Sequence, residues 1–202
     1  MASRAALHKD AEIARLLGSG ATTGFNSYDG VTFFNAAHVS GVSGNQDNTI
    51  AAGATDANDP TTPEFRASFK EAIQRLLTFK DDQGETLNNG ASGLVAVVPP
   101  SMYVSALEAL SATLLSSTTN VLQGAARVLT FPRLTATDKW YLMKTDVPVR
   151  AFIFQDREPI EFTAMERESE SGFMREVYLY GVRARYKMTY GYWQHALQVT
   201  FS

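Results

Sequence analysis

Arg183, Arg185 and Lys187 are the residues whose type and spacing most directly invite a chemical reading. They alternate through EVYLYGVRARYKMTYGYW, residues 176–193, a stretch whose period of two marks an extended strand. On one face of such a strand they stand about 6.8 Å apart, comparable to the phosphate spacing of a nucleic-acid strand. The same row is equally suited to pairing with acidic side chains of a neighbouring strand or subunit, or to facing water. Three cations on a chain of net charge −3 are a small footprint for a nucleic-acid binder, so ion pairing or plain exposure to water is the simpler reading.

Other reactive types are present without a reactive arrangement. Asp156, Glu158, Glu161, Glu166, Glu168 and Glu170 supply the carboxylates that a hydrolase needs as acid and base. However, MERESESG at 165–172 mixes charge with small polar residues in the manner of an exposed turn or flap. His8, His38 and His195 lie far apart with no zinc spacing, and each reads as a surface or half-buried side chain. Gly18, Gly20 and Gly24 form GSGATTG, which has neither the dinucleotide spacing nor the lysine of a phosphate loop, so it reads as a helix end and link. Asp47, Asp56 and Asp59 match no calcium loop. No G-x-S-x-G elbow occurs, and with no cysteine there is no thiolate nucleophile, thiolate metal site or disulfide. No catalytic, cofactor or metal site is expected.

The elements that position these residues follow from periodicity. Residues 4–17 read as a helix with Ala6, Ile13 and Leu17 near one face. Val31 to Phe34 reads as a short strand, and residues 39–60, lacking aromatics and period, as loop or partly disordered chain. Thr62 and Pro63 open a second helix whose stripe is Phe65, Phe69, Ile73, Leu76 and Leu77. Leu94–Val98 has the unbroken apolar run of a strand buried on both faces. A third helix begins at Ser101 with Met102, Ala106, Leu110 and Leu114 in line. Strands are expected at 126–131, 140–143, 151–155 and in the long alternating stretch, which together make an α+β fold. With 45% hydrophobic and 19% charged residues, the 202-residue chain can bury a real core unaided. No apolar run reaches the roughly 18 residues of a membrane span, and the N-terminus lacks the apolar core of a signal peptide.

Seven blocks, taken in order, resemble one family. They are HKDAEIARLL at 8–17, YDGVTFFNAAH at 28–38, LVAVVPPSMYVSALEAL at 94–110, ARVLTFPRL at 126–134, WYLMKT at 140–145, FIFQDREPIEF at 152–162 and FMREVYLYGVRARYKMTYGYWQ at 173–194. The chain resembles the Mu-like phage major head subunit family, the T-protein type of major capsid protein. Val39 stands where that family generally has proline, and Arg183 where it is typically acidic.

The resemblance implies a Hong Kong 97-like fold with an axial and a peripheral domain. On it, residues 1–60 carry the end of a spine helix, a strand and a long loop of the peripheral domain. Residues 61–145 form the axial domain, and 146–202 return to the peripheral sheet. The family's N-terminal arm and extended loop are expected to be missing. The implied role is a structural head subunit, not an enzyme, that self-assembles through pentamers and hexamers into a virion shell. Its implied partners are further copies of itself, a scaffold protein and packaged DNA, with assembly in the host cytoplasm and no membrane. The aromatic face of 178–192 is expected beneath the spine helix. Arg183, Arg185 and Lys187 are expected toward DNA at the inner surface or toward a neighbouring subunit.

Overall fold

The computed structural model describes residues 2–115, 117–165 and 179–202, leaving aside the side chains of residues 2–6, 165 and 179. The chain opens with helix α1 (Ala2–Ser19), then short strands β1 (His38–Val39), β2 (Asn45–Gln46) and β3 (Thr49–Ala52), helix α2 (Thr62–Thr78) and strand β4 (Leu94–Val98). A single 3-10 turn leads into α3 (Tyr103–Ser111), followed by β5 (Leu114–Leu115), β6 (Thr118–Thr119), β7 (Arg127–Thr130) and β8 (Lys139–Lys144). Two long strands, β9 (Phe152–Met165) and β10 (Leu179–Tyr190), precede a 3-10 turn at Trp193–His195 and the closing strand β11 (Ala196–Phe201). The mixture is the α+β class that the sequence predicts.

Five strands from distant parts of the chain form the central sheet in the order β3-β11-β8-β4-β7. β11 runs parallel to β3 and antiparallel to β8, while β4 is antiparallel to β8 and parallel to β7. All five residues of β4 are buried, as their unbroken apolar run requires. Alternation along β8 sends neighbouring side chains to opposite faces. Trp140 meets Phe65 and Phe69 of α2, with centroids 4.8 and 6.2 Å away, whereas Tyr141 meets Phe34 at 5.4 Å. Segment 146–202 therefore supplies both the β9–β10 ribbon and, through β11, an interior strand of the sheet.

α2 starts where Thr62 and Pro63 predict, with Thr61 as its cap. Glu64 reaches back to accept hydrogen bonds from the Thr61 amide and hydroxyl, both 2.8 Å, and from the Thr55 amide and hydroxyl at 2.8 and 2.7 Å. These bonds, Thr55's first, hold its pKa down to about 2.

Three expectations need correction. Val31–Phe34 is not a strand: one bridge joins Asn26 to Thr32, and Phe33 and Phe34 are fully buried instead. Residues 39–60 are not structureless, because β2 pairs β1, and β3 pairs the closing strand with Ile50 buried. The third helix stops before Leu114, which is 61% exposed in the β5–β6 hairpin. The Asn120 amide nitrogen donates to the Ala109 and Ala112 carbonyls at 2.9 Å each, and the Gly124 amide donates to Leu110, so the terminal carbonyls are satisfied without further turns.

β9 and β10 form a separate two-stranded antiparallel ribbon. β9 runs ten residues beyond the predicted end at Gln155, so Glu158 and Glu161 belong to a strand. The register slips on either side of Arg185, and Pro159, which has no amide hydrogen for the ladder, sits within the slipped stretch.

Candidate assembly and nucleic-acid interface

The ribbon is rooted in the core by aromatic rings. Tyr190 stacks on Phe33 at 4.2 Å and 12°, Phe152 lies 5.4 Å from Phe33, and Phe33 abuts Phe34 at 4.9 Å. Phe33 thus faces the ribbon while Phe34 faces the sheet. The Tyr190 hydroxyl donates to the Leu16 carbonyl at 2.7 Å, one of the four carbonyls that a helix end leaves without a helical partner. Burial raises the Tyr190 pKa well above its ordinary value.

Farther out, α1 is held by polar groups. His8 Nδ1 and the Tyr186 hydroxyl are hydrogen-bonded, with the rings edge to face at 5.8 Å. Lys9 lies 3.6 Å from Asp156, and its ammonium sits over the rings of Phe154 and Tyr186 at 4.4 and 5.5 Å. Burial, then the charges of Glu12 and Asp156, raise the Tyr186 pKa. The predicted packing of aromatic residues against the first helix therefore holds for Tyr186 and Tyr190. It does not extend to Tyr180 and Val182, which remain 60% and 37% exposed, or to Tyr192, which lies 5.6 Å from Tyr28. Tyr178 lies outside the described residues. Phe162, directly opposite Val182 across the ribbon, is 58% exposed. A groove of about 590 Å³ between α1 and β10 is lined by Val182, Ala184 and Met188 and by His8, Glu12 and Arg15.

Arg183, Arg185 and Lys187 stand on β10 opposite Glu161, Glu158 and Gln155 of β9. One carboxylate serves two guanidinium groups: Glu158 lies 2.8 Å from Arg183 and 3.7 Å from Arg185. Cross-strand pairing, one of the alternatives in the simpler reading, is therefore present for both arginines. Lys187 makes no ion pair among the described residues and is exposed. Sequence reasoning missed Glu158 as the shared partner. The signal was Pro159, whose bulge brings Glu158 rather than the alternating position opposite Arg185.

The remaining candidates are occupied by structure. His38 is fully buried, not surface or half-buried: Nδ1 lies 2.6 Å from Asp29, Nε2 faces the Phe33 carbonyl at 3.2 Å, and the ring stacks on Trp193 at 4.2 Å. His195 is also buried, not surface or half-buried, and sits in a 3-10 turn with Nδ1 2.9 Å from Asn88 Oδ1. Burial and, secondarily, the Lys144 charge hold its pKa down to about 4. His8 belongs to the α1 clasp.

Asp47 pairs with Arg75 at 2.9 Å and caps Thr49, while Asp56 accepts from the Asn58 amide. No cluster able to hold a metal ion occurs among the described residues. The Gly18–Gly24 stretch ends α1 in turns closed by Thr22 to Ser19 and Phe25 to Thr22 bonds. Asp156, Glu158 and Glu161 do not line the groove, and Asp156 and Glu158 are engaged by cations, so the structure gives no support to a carboxylate hydrolase. Glu166, Glu168, Glu170 and the rest of MERESESG after Met165 lie outside the described residues. Among those residues no helix is long and apolar enough to cross a membrane.

Comparison with known proteins includes one match placed on this region. Residues 135–201 match the family of the Mu-like prophage major head subunit gpT, the span holding β8, the ribbon and β11. The Mu-like prophage FluMu major head subunit of Haemophilus influenzae is 33% identical over 64 residues, which are 31% of this chain and 21% of that protein. The resemblance read from the sequence is borne out here, and the blocks starting at 140, 152 and 173 fall within the matched span. Over 99% of the chain, the structure resembles a subunit of the bacteriophage PhiM1 mature capsid at TM-score 0.61 and 9% identity. Over its whole length it resembles the capsid of cyanophage P-SCSP1u at TM-score 0.63 and 8% identity. The chain spans 62% and 64% of those two capsid chains. At these identities the likeness speaks to fold: the chain is an α+β protein folded like phage capsid subunits.

Proposed function

We propose that this chain is a structural head-shell subunit of a tailed phage or prophage, resident in the virion, and not an enzyme. The observation that carries this reading is the head-subunit match over 135–201, because that span is the ribbon together with two neighbouring strands of the sheet. The finer fold assignment is Hong Kong 97-like. In this reading residues 61–145, with α2, α3, β4, β7 and β8, are the axial part, and residues 1–60 and 146–202, with α1 and the β9–β10 ribbon, are the peripheral part, although β3 and β11 of those flanking segments pair into the axial sheet. The boundary at residue 146 then separates sheet from ribbon, with β11 returning to the sheet. Partners are further copies of the chain in pentamers and hexamers, a scaffold protein during assembly, and packaged DNA held without sequence preference.

The shape of the molecule supports a role in contacts. A two-stranded ribbon is marginal by itself in water and gains stability from what it packs against. Among the described residues α1 engages the ribbon from Tyr190 out to Tyr186, while Phe162 and Tyr180 remain more than half exposed. A second reading rests on Lys187, free of ion pairs among the described residues, which with Arg183 and Arg185 offers a basic row to DNA.

Co-expression with a scaffold protein, followed by sedimentation and negative-stain microscopy, tests the proposal. Rings or closed shells are expected. A protein that stays monomeric at every concentration, with scaffold present, overturns it.

A further inference from the structure

We propose that neighbouring copies dock ribbon to ribbon, head to tail, with the basic β10 flank of one copy set against the acidic β9 flank of the next. This rests on the shell-subunit reading and names the contact that such a subunit would use. The ribbon is electrically lopsided across its width. β10 carries Arg183, Arg185 and Lys187 and no acid, whereas β9 carries Asp156, Glu158 and Glu161 against the single cation Arg157. Lys9 of α1 already engages Asp156, which leaves Glu158 and Glu161 for the acidic flank.

Among the described residues these charges do not balance. Glu158 alone divides itself between two guanidinium groups, and Lys187 faces Gln155. The side chains of Arg183 and Arg185 stay 72% and 58% exposed. Exposed pairs of this kind contribute little, so they exchange readily for contacts with a second chain. Placing two ribbons side by side in the same direction sets a basic column against an acidic one. Placing β10 against β10 sets cation against cation. The complementarity is therefore heterologous, and a heterologous contact that repeats by rotation closes into a ring.

Side chains, not a continuous backbone ladder, carry this contact. Pro159 and the two register slips interrupt β9 where Glu158 and Glu161 stand. On the opposite face, a neighbouring ribbon also shields the flank of Phe162 and Tyr180.

Two variants test the arrangement. One reverses the basic flank (Arg183→Glu, Arg185→Glu, Lys187→Glu), and the other reverses the acidic flank (Glu158→Lys, Glu161→Lys). Sedimentation velocity at low and moderate salt follows self-association, and circular dichroism checks the fold. Each variant alone is expected to associate at least about tenfold more weakly than the parent. A one-to-one mixture is expected to recover association, since it supplies one fully acidic and one fully basic ribbon. The parent's own association falls with added salt. Lys187→Glu, which breaks no described ion pair, should weaken association by itself if the larger variants fold poorly. Parental association that is indifferent to all three changes overturns the ribbon contact and leaves the shell reading standing. Absence of parental association under every condition overturns both. Loss of DNA binding without any change in self-association, and without recovery in the mixture, assigns the row to nucleic acid instead and overturns the proposal.

Discussion

The Tyr190 hydroxyl donates its hydrogen bond to the Leu16 carbonyl at 2.7 Å, joining residues 174 positions apart where the first helix ends and the ribbon begins. This contact anchors the inner end of α1 to the ribbon, because the ring of Tyr190 is itself clamped against Phe33, and His8 and Lys9 tie the helix to the ribbon farther out. Apolar packing governs this end of α1, where Leu16 and Leu17 are buried, while the outer clasp at His8 and Lys9 is polar.

Tyr190→Phe keeps the stacked ring and removes only the donor. Unfolding free energy should fall by about 1 kcal/mol, the usual net worth of one such hydrogen bond. Hydrogen exchange should accelerate at the end of α1 more than in β4. Unchanged protection of residues 16–19 would show that the bond does not hold the helix end.

Gly191 joins the ribbon to the sheet at a place with no room for a side chain. Its amide donates to the Ala151 carbonyl at 2.8 Å, and a Cβ there would stand 2.1 Å from the Arg150 carbonyl oxygen. Gly191→Ala must push two backbones apart, and a loss of roughly 2–4 kcal/mol is expected by denaturant titration. A neutral substitution would mean that this junction yields freely.

His195 makes the fold sensitive to acid. The neutral ring is favoured in the folded protein because burial lowers its pKa from 6.5 to about 4. The unfolded chain therefore takes up a proton first as pH falls. The contribution is fully present above about pH 6.5 and is lost progressively toward pH 4. Its size is on the order of 3–4 kcal/mol at about 1.4 kcal/mol per pKa unit. Urea unfolding between pH 4 and 7 should show this slope, and His195→Gln should flatten it. A slope that survives the substitution would assign the acid sensitivity to another group.

Much of this architecture is legible from period and composition, and the misses share a cause. α2 and β4 carry their burial in a local pattern, Phe65, Phe69 and Leu76 at helical spacing and five apolar residues in a row, so each reads correctly without its neighbours. Phe33 and Phe34 look like strand residues because two adjacent aromatics suit a β-strand, yet they serve as a plug between ribbon and sheet. Leu114 fits the third helix's period, but Asn120, six residues later, ends that helix by taking its carbonyls. On the ribbon, alternation places Arg183, Arg185 and Lys187 on one strand correctly. The shared partner Glu158 depends on a bulge in the other strand, which no periodicity in β10 can reveal.

Asn48 shows how a stretch rich in glycine, serine and asparagine acquires order without an apolar pattern. Its side-chain nitrogen donates to the Phe33 carbonyl at 2.8 Å and to the Ala196 carbonyl at 3.4 Å, and its oxygen accepts from the Asn35 amide at 2.8 Å. Its backbone carbonyl accepts from Gln198 in the closing strand, so one buried residue ties β3 to β11 and to the aromatic plug. Asn48→Ala strands several of these buried groups, each at about 1–3 kcal/mol, and a total loss of roughly 2–4 kcal/mol is expected. Amides 45–54 should then exchange faster than those of α2. Asn45→Ala is the matched control: its exposed side chain makes one bond, to the Ala36 carbonyl at 3.1 Å, and its removal should shift stability by less than about 1 kcal/mol. Equal effects of the two substitutions would mean that the segment is ordered by its backbone pairing with β11 and not by this amide.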